Sequence, residues 1–436
     1  MADLSINLAG IKSPNPFWVA SGPPANTGYQ AHRAFEAGWG GVVWKTIGDP
    51  IVNVSSRYSA LNLGTLRMAG FNNIELISDR SPETNFREIA EVKKRWPNHA
   101  VIASLMVDTR ERWHEFMKRS ADAGADGVEL NFGCPHGMCE RGMGSAVGQQ
   151  PAVAEKIVSW AMEAATIPVI VKLTPNITDV VQAARAAKRG GGNAISLINT
   201  INSITQVNLD NLVPEPFVGG YSTHGGYCGP AVKPIALNMV QCCAADSEVG
   251  LPISGIGGIG NWRDAAEFIA LGSTSVQVCT AIMHYGFRIV EDMIESLNDY
   301  LDSKGYRSVT ELVGKAAPTL RNWEKLDLHY SRKARINYDK CIGCNLCFIA
   351  CEDGAHQCID LIEPSGHGLG PRRVPGKPIP QVREADCVGC NLCSLVCPVD
   401  DCITMVTTSN GDGKLTWSDY QEKLARGEMK AMPPHL

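Results

Sequence analysis

Between residues 16 and 281 the chain alternates short apolar runs with stretches of helical periodicity. The apolar runs at 16–21, 41–46, 100–106, 127–133, 168–174, 194–200, 251–258 and 275–281 carry little polar alternation. Strands buried on both faces, as in a parallel sheet, have that pattern. Amphipathic spacing predicts helices at 30–37, 84–96, 109–123, 151–165, 178–188, 233–245 and 262–270, and a last one at 286–304 closes the series. Eight strands, each followed by a helix, predict an α/β fold of the (β/α)8 TIM-barrel type. A doubly wound sheet is the structural alternative. It usually has fewer strands and an early G-x-G-x-x-G turn, which is absent after the first strand. Two connections exceed the rest, from 46 to about 84 and from 201 to 232. Both fall on the C-terminal face, where barrel active sites are built.

A length of 436 residues is too much for one small core and fits two or three domains. With 44% hydrophobic and 19% charged residues and a net charge of −5, nothing gathers the basic surface a nucleic-acid binder needs. No stretch of about 18 apolar residues suits a membrane span. The first residues lack a basic segment followed by an apolar core, so the expectation is an unexported, cytoplasmic protein. The unusual feature is cysteine: there are 16, and ten fall between Cys341 and Cys402.

Cysteines in a reducing compartment serve metals or catalysis rather than disulfides. Here Cys341, Cys344, Cys347 and Cys351 form one C-x2-C-x2-C-x3-C run, and Cys387, Cys390, Cys393 and Cys397 form a second. This is the bacterial ferredoxin spacing, in which the fourth cysteine of each run ligates the other cluster. The expected sets are therefore Cys341, Cys344, Cys347 and Cys397 for one 4Fe–4S cluster, and Cys387, Cys390, Cys393 and Cys351 for the other. A pair of structural zinc sites is the alternative, although two complete four-cysteine runs exceed what zinc requires. Glu352 stands where the second run has Pro398. Cys358 and Cys402 lie off the pattern and are expected to pack in apolar surroundings. The expected organisation is a barrel over 1–312, a linker over 313–336, a small α+β two-cluster ferredoxin domain over 337–410 and a tail over 411–436. Arg372, Arg373, Lys377 and Arg383 separate the runs, as a solvated face or as a docking surface for an acidic redox partner.

The ends of the expected barrel strands are polar in a consistent way. Ala20 and Ser21 end the first, Lys45 and Thr46 the second, and Asn131 the fourth, with Cys134 just beyond. Lys172 closes the fifth, Asn199 and Thr200 the sixth, Gly257 and Gly258 the seventh, and Cys279 and Thr280 follow the eighth. Glycines after the seventh strand let backbone N–H groups approach a phosphate, helped by a helix N-terminus near Asn261. Any tight turn also favours such a pair. Lys45 and Lys172 point where an anionic ring or carbonyl would sit, or else run their stems past the barrel rim. Clusters pass electrons singly, whereas hydride chemistry moves them in pairs. A flavin does both and is the cofactor that joins the two halves, with Lys172 placed to stabilise negative charge on its reduced ring.

Several motifs occur together and in order: Phe35-Glu36-Ala37-Gly38-Trp39-Gly40, Asn73-Ile74-Glu75-Leu76-Ile77, Cys134-Pro135-His136-Gly137, Lys172-Leu173-Thr174-Pro175-Asn176, Asn199-Thr200, the Gly257-Gly258 turn and both cysteine runs. With them the chain resembles, from residue 6 to about 406, the FMN-dependent dihydroorotate and dihydropyrimidine dehydrogenase class. Within it, the match is nearest the pyrimidine-reducing subunit of the bacterial NAD-dependent dihydropyrimidine enzymes. The resemblance implies that Ala20, Ser21, Lys45, Thr46, Lys172, Gly229, Gly257, Gly258, Cys279 and Thr280 hold FMN. It implies that Asn73, Asn131, Asn199 and Thr200 read a pyrimidine through amide hydrogen bonds, since a carboxamide offers both donor and acceptor. Loop-capping is the other use of such asparagines.

The same resemblance makes Cys134 the general acid. Flavin N5 gives hydride to C6 of uracil or thymine while the thiol protonates C5, and the reverse path oxidises the dihydropyrimidine. An ordinary thiol, with a pKa of about 8.5, is protonated at neutral pH yet able to give its proton to an enolate. His136 is the second candidate acid, and an inert loop cysteine the third reading. The glycine-rich loop 137–148 could close over the substrate. Where the class often has serine before the cysteine, this chain has Gly133. That change is expected to open space, remove a hydrogen bond and alter the choice of pyrimidine. The chain has no nicotinamide-binding fingerprint, so the resemblance implies a separate FAD- and NAD-binding flavoprotein subunit of the PreT kind, in a heterotetramer. The alternatives are a dihydroorotate-type or other cyclic-ureide ene-reducing enzyme with a fused ferredoxin, and an electron-transfer module with a vestigial barrel.

Overall fold

The computed structural model describes all residues except 53–54, 136–141, 324–325, 327–330, 364–377, 410–416 and 431–436. It divides into two compact units, Met1–Thr319 and Leu320–Leu436. In the first, eight parallel strands close into a barrel: β1 (Phe17–Val19), β2 (Gly41–Val43), β3 (Ala100–Leu105), β4 (Gly127–Asn131), β5 (Val169–Lys172), β6 (Ala194–Leu197), β7 (Ile253–Ile256) and β8 (Ser273–Val278). Neighbours in the barrel are neighbours in sequence, and β8 pairs β1 to complete the circle. The expected (β/α)8 architecture is what forms.

Around it lie α1 (Gly28–Ala37), α2 (Pro82–Arg95), α3 (Arg110–Asp122), α4 (Pro151–Glu163), α5 (Val180–Arg189), α6 (Lys233–Ala245), α7 (Trp262–Ala270) and α8 (Ile289–Lys304). Side-chain oxygens of Thr27, Ser81, Thr109, Asp179 and Asn261 cap α1, α2, α3, α5 and α7, which fixes where each strand-to-helix loop ends. Trp18, Trp39, Trp44 and Trp113 are fully buried between strands and helices.

The two long connections are structured and pair with each other. Tyr58–Leu63 and Leu66–Asn73, from the connection after β2, join Ile201–Ser203 and Gly225–Cys228, from the one after β6, in a four-stranded antiparallel sheet. The register Asn73↔Gly226 brings the end of the first excursion against the second.

In the second unit Ser331–Ile336 pairs Ile403–Ser409, and Ile359–Ile362 pairs Ile379–Val382, both antiparallel. Residues 331–336 were expected within a linker. They form a strand because Ala334 is buried and Lys333 is held by the Cys387 carbonyl at 2.6 Å. Each cysteine run turns into a helix in the same way. Gly343 and Asn345 (φ 69° and 60°) precede Leu346–Gly354, as Gly389 and Asn391 (φ 73° and 72°) precede Leu392–Leu395. Of the basic residues between the runs, Arg372, Arg373 and Lys377 lie outside the described residues, while Arg383 pairs with Asp386 at 2.7 Å and with Asp360. Among the described residues no helix is long and apolar enough to cross a membrane.

Barrel closure at β1–β2 depends on Gly41, across which the Trp18 indole lies; a Cβ there would stand 2.7 Å from Trp18 Cδ1. Gly41→Ala is expected to destabilise the barrel by about 1–3 kcal/mol, as overpacked cores do, read as an earlier denaturant midpoint.

Candidate active site

Every barrel residue expected to hold FMN or the pyrimidine, and Cys134 with them, lines one cavity of about 500 Å3 at the C-terminal ends of the strands. Parallel closure is the reason: each strand delivers its last residues to the same mouth. His136 lies outside the described residues.

Two lysines are buried there, and each has a carboxylate. Lys45 Nζ sits 2.6 Å from Glu75 Oε1, with side chains 8% and 10% exposed. Glu75 Oε2 in turn accepts the Tyr58 hydroxyl at 2.7 Å, and burial beside this carboxylate pushes the tyrosine's pKa up. Lys172 Nζ lies 3.5 Å from Glu129 Oε1, with side chains 6% and 0% exposed. Ser196 Oγ and Gln277 Nε2 donate to Glu129 Oε2 at 2.8 and 3.0 Å, so the carboxylate is pinned from two further strands. The lysines do not run out along the rim. Sequence reasoning placed both cations but neither partner, because an acidic residue inside an apolar strand such as 127–133 reads as noise until the fold turns it inward.

The asparagines form a chain. Asn199 Nδ2 donates to Asn131 Oδ1 at 3.1 Å, and Asn131 Nδ2 to Thr46 Oγ1 at 2.9 Å. Asn131 Oδ1 also accepts the Gly133 N–H at 3.1 Å, and Asn199 Oδ1 the Thr200 N–H at 2.7 Å. Asn73 is fixed across the excursion sheet, donating to the Gly226 carbonyl at 2.9 Å and accepting from Glu75 N–H at 3.2 Å. Asn131 and Asn199 each cap local backbone and still keep an N–H for a ligand, whereas Asn73 uses its second N–H on Cys228 Sγ at 3.9 Å. Gly133 does not open space. A Cβ there would stand 2.3 Å from Asn199 Cβ, so Asn199 already fills the volume.

Cys134 is 9% exposed and packs with Ile77, Met106 and Met143. Its carbonyl accepts the Ser145 N–H at 3.0 Å, which ties it to the chain beyond residues 136–141. At the far end of the cavity Gly229, Gly257 and Gly258 have φ of 88°, 127° and 75°. A Cβ on Gly258 would lie 2.8 Å from Lys233 N and 2.9 Å from Gly229 O, so the two turns nest where only glycine fits. Burial raises the thiol of Cys279 to about 12 and that of Cys228 to about 11, so both are neutral thiols at this wall. A bare glycine turn at one end and two buried ammonium groups among amides at the other suit a phosphate-bearing, electron-rich ring system.

The second unit gathers its cysteines as two sets. Cys341, Cys344, Cys347 and Cys397 line one small cavity; Cys351, Cys387, Cys390 and Cys393 line another. The fourth cysteine of each run has crossed to the other. Among the described residues no three side chains converge as ligands of a single ion. Thiols spread around a void suit a polynuclear cluster better than zinc.

Comparison with known proteins bears on both units. Residues 3–301 match the family model described as dihydroorotate dehydrogenase, and residues 334–405 the one described as 4Fe-4S dicluster domain. This chain belongs to the dihydroorotate dehydrogenase family. It is 44% identical over 363 residues to the NAD-dependent dihydropyrimidine dehydrogenase subunit PreA of Escherichia coli (strain K12), covering 83% of this chain and 88% of that one. The chloroplastic dihydropyrimidine dehydrogenase (NADP(+)) of Arabidopsis thaliana is 42% identical over 325 residues, 72% of this chain and 76% of the relative. The catalytic subunit of dihydroorotate dehydrogenase B (NAD(+)) of Pyrococcus abyssi is 35% identical over 321 residues, 72% and 99% respectively. This member of the dihydroorotate dehydrogenase family is thus an oxidoreductase barrel joined in one chain to an iron–sulfur domain.

Removing one partner of a buried ion pair leaves an uncompensated charge. Glu129→Ala is expected to cost about 3–5 kcal/mol, against a smaller loss for Glu129→Gln, in urea unfolding monitored by tryptophan fluorescence.

Proposed function

We propose that this chain catalyses the reversible reduction of the C5=C6 bond of uracil or thymine to the 5,6-dihydropyrimidine. The supporting observation is the shared cavity, in which Cys134, the asparagine chain, the two lysines and the glycine turns all meet. The 44% identity to a dihydropyrimidine dehydrogenase subunit supports the same reading. When bound, FMN supplies hydride exchange with the pyrimidine, and two 4Fe–4S clusters supply single-electron exchange with a partner.

The chain's own residues do the rest. Gly229, Gly257, Gly258 and Thr280 hold the FMN phosphate end, with Ala20, Ser21, Thr46 and Cys279 along the wall. Lys45 and Lys172 present positive charge to the ring, and Glu75 and Glu129 keep those charges in place. Asn73, Asn131, Asn199 and Thr200 orient the pyrimidine by its amide edges. Cys134 holds the proton that C5 receives and takes it back in the reverse direction. The two crossed cysteine sets hold the clusters, and the partner is a flavoprotein subunit carrying FAD and the NAD site, in a cytoplasmic heterotetramer.

The dihydroorotate reading has one observation in its favour: Arg67, in the connection after β2, lines the cavity and could meet a carboxylate. Anaerobic mixing of the FMN-loaded protein with each dihydro compound separates the two. Bleaching of flavin absorbance by dihydrouracil but not by dihydroorotate is expected; bleaching by dihydroorotate alone would contradict the proposal.

Cys134→Ala is expected to retain FMN and iron but to lose about 10²–10⁴-fold in turnover, in line with the loss of a positioned acid. Unchanged turnover would remove Cys134 from that role. Gly133→Ser forces Asn199 aside, and the expected outcome is a raised KM for uracil with unchanged FMN content.

A further inference from the structure

Each cluster cavity contains a fifth cysteine outside the two runs. Cys402 lines the cavity of Cys341, Cys344, Cys347 and Cys397, and Cys358 lines that of Cys351, Cys387, Cys390 and Cys393. Both are buried, 3% and 4% exposed. Cys358 Sγ lies 3.5 Å from Cys351 Sγ, and its own N–H points at the same sulfur at 3.4 Å. Cys387 lines the same cavity. Cys402 differs: its thiol donates to the Asn337 carbonyl at 3.6 Å.

The two placements are not equivalent. Cys358 touches the fourth cysteine of the first run inside the cavity that this cysteine shares with the second run, at the seam where a crossed ligand set is assembled. Apolar packing alone does not account for this pairing, since valine or alanine would pack as well and donate nothing. A thiol S–H is a weak donor, and a buried ligand thiolate is an acceptor that strengthens as the cluster gains negative charge. Hydrogen bonds to the sulfurs are among the features that set iron–sulfur potentials.

We propose that Cys358 is not a ligand but a hydrogen-bond donor to the Cys351 thiolate, raising the reduction potential of its own cluster. The inference rests on the cluster-binding reading above. A donor of this kind stabilises the reduced, more negative state more than the oxidised one, so deleting it lowers the potential. Deleting the donor is expected to shift the reduction equilibrium by about tenfold. For a one-electron couple, tenfold is about 59 mV.

The test is an EPR-monitored redox titration of the full-length, anaerobically purified protein, with iron and sulfide counted per chain. The variants are Cys358→Ala and Cys358→Ser. Expected are wild-type iron in both, a negative shift of about tenfold in the reduction equilibrium of one cluster in Cys358→Ala, and recovery towards wild type in Cys358→Ser, which keeps a donor. An unchanged potential in iron-replete Cys358→Ala would overturn the proposal. So would loss of one cluster's iron from both variants, which would make Cys358 a ligand. If Cys358→Ala alone loses iron, the potential of Cys358→Ser decides: near wild type supports the donor role, and a full negative shift contradicts it. Absence of iron from the wild-type protein would instead refute the cluster-binding reading itself.

Discussion

An ammonium group taken out of water has to be met by a charge, and this barrel buries two of them at its mouth. Lys45 is met by Glu75 and Lys172 by Glu129, with Tyr58, Ser196 and Gln277 fixing the carboxylates. Desolvation makes an unpaired lysine untenable at either position. The two acids are therefore conditions for having cations in the pocket at all. Glu129 comes from inside β4, two residues before Asn131, so the strand that supports Lys172 also carries the amide that faces the ligand space. The Glu129 carboxylate behind Lys172, the Asn131 amide and the Cys134 thiol thus come from one short stretch, residues 129–134.

That arrangement explains how the chemistry can be divided. In the proposed function the lysines and glycine turns would serve a cofactor's charged and phosphate ends. The amide chain from Thr46 through Asn131 and Asn199 to Thr200 holds itself rigid through its own hydrogen bonds before any ligand arrives. Preorganised donors of this kind cost little reorganisation when a ring binds. Cys134 lies on the loop just past β4, among apolar side chains that would exclude water from the proposed proton transfer.

Much of the fold was legible in the sequence, because apolar runs buried on both faces leave a strong signal. The expected strands ran past the observed ends: 194–200 against Ala194–Leu197, and 127–133 against Gly127–Asn131. Past β6 the surplus residues Ile198, Asn199 and Thr200 line the mouth, whereas past β4 Phe132 is buried in the core. The antiparallel sheet built from both long connections was not legible, since its strands pair across more than a hundred residues and bury little. Glu75 and Glu129 escaped for a related reason: their significance lies in what faces them. Gly133 was read as a gap, whereas Asn199, from a strand two positions round the barrel, occupies it. Cys358 and Cys402 lay off the cysteine spacing, yet three-dimensional packing returns them to the cluster cavities.

The most direct test of the shared-cavity reading is a crystal structure of the FMN-loaded protein with uracil bound. The expected result is a pyrimidine ring within hydrogen-bond distance of Asn73, Asn131 and Asn199, with the Cys134 sulfur facing C5. A ring bound elsewhere, or one with Cys134 turned away behind ordered protein, would contradict it.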